Sequence, residues 1–146
     1  MKRSLLALPA LAAALFLLPT APEAQADAGK AKACLDELVQ GAAAQGRRLR
    51  ATDSDSAGVQ EAVDYRVTLY KGMTYVLVGC ADGEEVDLDI RLYDADGNLV
   101  DKDGSPDAKP FVFVEPEKTG EYAMQVIVHQ AKQPKTDFAV AVTYQY

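Results

Sequence analysis

Asp87-Leu88-Asp89-Ile90-Arg91-Leu92-Tyr93-Asp94-Ala95-Asp96-Gly97-Asn98-Leu99-Val100 is the stretch that decides the fold of this chain. Leu88, Ile90 and Leu92 fall on every second position with Asp87, Asp89 and Arg91 between them, the period of a strand with one face buried and the other in water. Asp94 to Asn98 reads as a turn, because Gly tolerates positive φ and Asp and Asn side chains bond to nearby backbone amides. Leu99 and Val100 then begin a returning strand, so the stretch predicts a hairpin.

The same alternation extends in both directions. Val63, Tyr65, Val67 and Leu69 mark a strand, and Lys71-Gly72 turns into a second one from Met73 to Cys80. Phe111 to Val114, Tyr122 to Val128 and Phe138 to Tyr144 give three more, separated by Pro116–Gly120 and Lys132–Lys135. Seven short strands at this spacing predict an antiparallel β-sandwich over residues 59–146, a mainly β fold class. Upstream the period lengthens to 3.6: Ala31, Leu35, Leu38, Val39 and Ala42 form the apolar stripe of one helix within residues 27–50. Gly46 reads as its C-terminal stop, and Arg47, Arg48 and Arg50 as cations near the negative end of its dipole. Small polar residues from Ala51 to Gly58 read as a linker.

Residues 1–26 have the form of a secretory signal: Met1-Lys2-Arg3-Ser4, an apolar run from Leu5 to Leu18, Pro19, and Ala24-Gln25-Ala26 before the expected cut. The run is too short for a bilayer span, which takes about 20 apolar residues, so no membrane insertion is expected after cleavage. An exported product with two cysteines and no accompanying metal ligands is expected to pair them, Cys34 on the helix with Cys80 at a strand end, stapling the helix to the sandwich.

The 146 residues carry 15 Lys and Arg against 22 Asp and Glu, a net charge of -7 that becomes -8 once residues 1–26 are removed. No basic excess exists to hold a phosphate backbone, which excludes nucleic acid as a partner. Ten of the acids lie between Asp82 and Asp107 against two bases, Arg91 and Lys102, so a cation or a basic surface should meet this segment first.

Catalytic motifs are missing. Beyond residue 26 the chain has one histidine, His129, and three serines, Ser54, Ser56 and Ser105, with no triad spacing among them. By strand parity His129 should sit on a surface. Asp87 and Asp89 would stand about 6.6–7 Å apart on one strand face. That is near the carboxylate separation of inverting glycosidases, but no aromatic groove or isolated acid accompanies them. Their ordinary account is bonding to loop amides or pairing with Arg91 or a lysine. Calcium is the sharper reading, drawing oxygens from Asp87, Asp89, Asp94, Asp96 and Asp101, although Leu99 and Ser105 occupy the EF-hand positions that need Gly and Glu. No other cofactor is expected.

Tyr65-x-Val67-x-Leu69, Lys71-Gly72 with Tyr75, the Asp87–Asp94 strand with Gly97, and Gly120-Glu121-Tyr122 together resemble the bacterial pre-peptidase C-terminal domain over roughly residues 59–146. The resemblance implies a jelly-roll-like sandwich that serves secreted hydrolases in secretion, maturation or substrate attachment, with calcium bound in related collagen-binding domains. No peptidase is expected ahead of the domain here. The chain is therefore expected to be a non-catalytic binding or accessory module in the periplasm or outside the cell, its partner a protein or polysaccharide of the envelope or extracellular space. An envelope interaction or assembly subunit is the alternative, and a small secreted hydrolase the third reading.

Overall fold

The computed structural model describes residues 26–146, so the export signal read in residues 1–26 lies outside the described residues except for Ala26. Helix α1 (Ala28–Ala44) leads into strands β1 (Arg48–Ala57), β2 (Ala62–Leu69), β3 (Thr74–Ala81), β4 (Asp87–Tyr93), β5 (Leu99–Asp103), β6 (Phe111–Val114), β7 (Gly120–Gln130) and β8 (Thr136–Gln145). All pairings are antiparallel, in two four-stranded sheets ordered β1-β8-β3-β6 and β2-β7-β4-β5. This interleaved order is the jelly-roll form of the β-sandwich.

Alternation builds the core. Leu88, Ile90 and Leu92 of β4 are fully buried and pair across the sheet with Val128, Val126 and Met124 of β7. Tyr75 and Leu77 of β3, Val112 and Val114 of β6, and Phe138, Val140 and Val142 of β8 meet them from the other sheet. Each such side chain contributes about 1.5–3 kcal/mol on leaving water.

The stretch from Ala51 to Gly58 is not a linker. It is nearly all strand, since β1 pairs with β8 from Arg48↔Tyr144 to Ala57↔Thr136. Its apolar period is absent because β1 is the outermost strand: Asp53 and Asp55 stand opposite the core residues Val140 and Phe138, yet at the open rim they remain exposed. Backbone bonds to β8 hold the strand, and charges at inward positions of an edge deter pairing with another chain.

Helix α1 starts under Asp27, whose side chain accepts from the Lys30 amide at 3.2 Å. It ends in a Schellman turn, with the Gly46 amide donating to Ala43 O and the Arg47 amide to Ala42 O, both at 3.0 Å, and Gly46 at φ 83°. The arginine side chains do not bond its last carbonyls: the one such bond they make runs from Arg47 Nη1 to Thr74 O, 3.4 Å away. Arg48 and Arg50 belong to β1, and the guanidiniums of Arg47, Arg48 and Arg50 lie 5.9, 5.8 and 5.2 Å from the ring centres of Phe113, Tyr146 and Tyr70. Ala31 and Leu35 of α1 pack with Cys80, Ala139 and Ala141 on the outer face of the β1-β8-β3-β6 sheet. There Cys34 and Cys80 form a disulfide with their Cα atoms 6.0 Å apart. No helix among the described residues is long and apolar enough to cross a membrane.

Candidate functional site

Strand pairing gathers two loops at one end of the sandwich. One is the β4–β5 turn, closed by Asp94, whose Oδ1 accepts from the amides of Asp96 and Asn98, each at 2.9 Å, and whose Oδ2 accepts from Asn98 Nδ2 at 3.2 Å. These bonds, led by the Asn98 amide, hold the Asp94 carboxyl below its ordinary range. The other loop joins β6 to β7. It is pinned by the Lys71 amide donating to Thr119 Oγ1 at 3.0 Å and by the Tyr122 hydroxyl donating to Lys118 O at 3.0 Å.

Between these loops lies a cleft of about 420 Å³. Asp94, Asp96, Glu115, Glu117 and Glu121 line it, with Lys118 the single base. Arg66 offsets part of this charge from outside the cleft, 3.4 Å from Glu121. Glu115 and Glu117 fall outside the acidic segment that the sequence marked. Only Glu115-Pro116-Glu117 following an apolar strand signals them, and that pattern alone says no more than a charged turn.

The other end of the sandwich holds a second concavity, of about 460 Å³, containing Asp87 and Asp89. Leaving β5, the chain returns over the start of β4 here, with the Leu88 amide donating to Asp107 O at 2.9 Å. Neither acid bonds to a loop amide or a base: one carboxylate oxygen of each is buried without any partner. Burial, then the neighbouring Asp87 carboxylate, raise the Asp89 pKa above its ordinary value. Burial also works against ionisation of Asp103, but there the amides of Phe111 and Ser105 win and hold its carboxyl low. His129 is exposed on the same outer sheet face, with its Nδ1 3.3 Å from Gln60 Nε2.

The five-carboxylate calcium set is therefore divided. Asp87 and Asp89 sit at one end of β4 and Asp94 and Asp96 at the other, about 23 Å from Asp87 to Asp94 by strand rise. Asp101, on β5, lines neither concavity. The turn that places Asp94 also spends both of its oxygens on backbone and Asn98. Among the described residues no group of three or more His, Cys, Asp or Glu is placed to hold a metal ion.

Ser54 and Ser56 lie on β1, in the opposite sheet from His129, and the histidine side chain bonds to no serine or carboxylate. What the fold and its charged end define is a disulfide-pinned jelly roll presenting an acidic cleft. Neither a protein-family model nor a curated protein sequence matches the chain. Among solved structures it is similar to the crystal structure of Aeromonas hydrophila PliG, a periplasmic lysozyme inhibitor of g-type lysozyme, with 15% identity and a TM-score of 0.50. The match covers 69% of this chain and 90% of that one. Such a likeness is one of fold.

Proposed function

We propose that this protein is an exported, non-catalytic binding module that docks on a basic protein surface through its acidic cleft. The observation that carries the reading is the cleft itself, with five carboxylates facing one lysine between two anchored loops. A field of one sign in a concave site steers an oppositely charged partner and fixes its register. The Cys34–Cys80 disulfide supports export. The shared fold with PliG makes a g-type lysozyme the first partner to test. An accessory role of the pre-peptidase C-terminal kind, with a polysaccharide partner, is the second reading. What supports it is the sequence resemblance carried by the Asp87–Asp94 strand, Gly97 and Gly120-Glu121-Tyr122.

Calorimetric titration of a g-type lysozyme, with its hydrolysis of cell walls followed in parallel, tests the proposal. Binding is expected to weaken by about tenfold or more in the D96N/E115Q/E117Q variant, at up to about 1 kcal/mol per exposed pair removed. It should also fall as salt rises. Binding that ignores both the triple variant and salt would remove the cleft from the interface.

A further inference from the structure

We propose that the concavity at the Asp87–Asp89 end of the sandwich is a socket for an organic cation, the guanidinium or ammonium group of an arginine or lysine side chain. The inference stands apart from the acidic cleft, which lies at the opposite end of β4. Asp87 and Asp89 occupy alternate positions on the outer face of β4, and a register shift between Asp87 and Leu88 interrupts the pairing with β7 beside them. Over them the segment leaving β5 contributes Gly104 and Pro106 to the wall, so the carboxylates sit in a covered recess. Asp89 is only 9% exposed.

Each acid keeps a carboxylate oxygen that solvent cannot reach and that nothing in the protein satisfies. A buried anionic oxygen is costly unless a donor meets it. Two species supply such donors: a proton shared by the pair, or a cation brought in from outside. The chain's own cations do not serve. Arg91 and Lys102 line the same recess and stand opposite each other across β4 and β5, but both side chains are exposed and neither makes a salt bridge to either acid. Asp103 is engaged by two amides, and His129 stands exposed on β7.

The choice among cations follows from the donor set. With no grouping of three metal-ligating side chains, the site lacks the six or more oxygens that calcium demands. A planar guanidinium carries five N–H donors, enough to bond one carboxylate through its fork and still offer N–H groups to the other, which a bare ion cannot do. The shared proton competes for the same oxygens, so affinity should rise with pH as Asp89 ionises. Burial and then Asp87 oppose that ionisation, and His129 and Arg91 favour it.

The test titrates N-acetyl-L-arginine amide into the ¹⁵N-labelled protein at low salt, read by amide chemical shifts at pH 5 and pH 7.5. Saturable shifts confined to residues 87–89, 104, 105, 107 and 129 are expected. They should be weaker at pH 5, absent in Asp89→Asn and in Asp87→Asn, and retained in the D96N/E115Q/E117Q cleft variant. The spectrum of each variant reports whether it is folded, and either folded variant suffices. Shifts elsewhere, shifts that survive both substitutions, or no saturable change at either pH would overturn the proposal. So would calcium saturating the same amides at lower concentration than the arginine probe.

Discussion

On the outer face of the β1-β8-β3-β6 sheet, Cys80, Ala139 and Ala141 lie buried beneath α1. On the outer face of the β2-β7-β4-β5 sheet, Arg66 faces Glu121 at 3.4 Å, Gln125 donates to Asp64 at 3.1 Å, and nothing covers them. Inner faces of the two sheets are alike, packed from the same alternating Leu, Val, Ile and aromatic side chains. Outer-face residues decide the difference. Small apolar side chains admit a helix at close range, whereas charged cross-strand pairs keep a surface in water. The covered face is stabilising, and the bare face is where the molecule can spend charge on recognition.

The largest expected effect falls on the covered face. Replacing both cysteines by alanine releases a loop with 46 residues of separation, a loss of about 4 kcal/mol in the chain-entropy model. Denaturant unfolding of the C34A/C80A protein should show the midpoint falling accordingly. An unchanged midpoint would mean that α1 is held by packing alone. Next comes Leu35→Ala, which empties a site only 3% exposed and should cost about 2–4 kcal/mol. A loss under about 0.5 kcal/mol would show that the helix contributes little to the domain.

How far each face was legible follows from the same difference. Most strands from β2 to β8 could be read because their apolar residues alternate, β5 only from the turn that returns the chain into Leu99 and Val100, and α1 because Ala31, Leu35 and Leu38 recur at helical spacing. β1 could not, since an edge strand whose inward positions are Asp53 and Asp55 shows no apolar period, and what holds it is the backbone of β8. At the charged end, parity placed Asp87 and Asp89 on the outer face of β4. It did not show that the chain returning from β5 covers them, because that depends on a fold-back to Leu88 from nineteen positions along, at Asp107. Glu115 and Glu117 join Asp94 and Asp96 only through the sandwich closing, a contact between loops that no local pattern encodes.

The smallest expected effect reverses sign and belongs to the one recess that the chain leaving β5 covers on the helix-free face. Asp89 holds its proton more tightly in the folded protein than in the unfolded chain, through burial first and the Asp87 carboxylate second. For a carboxyl with a raised folded pKa, the stability it contributes is complete below the unfolded value and disappears as pH rises through the folded one, leaving a penalty at neutral pH. Asp89→Asn supplies a permanent N–H donor where the proton would sit, beside the Asp87 carboxyl with which the Asp89 side chain interacts. The variant should therefore be more stable than the parent at pH 7 by on the order of 1 kcal/mol, the scale of one unmet buried polar group. That advantage should shrink as pH falls from neutral into the ordinary carboxylate range, where the parent acquires the proton itself. Asp94 and Asp103, held low by amides, weaken both proteins equally on acidification, so the difference between the two unfolding curves isolates Asp89. A variant less stable than the parent at pH 7, or an advantage that grows on acidification, would mean that the Asp89 carboxylate is satisfied in solution and that the two outer faces differ less than their residues imply.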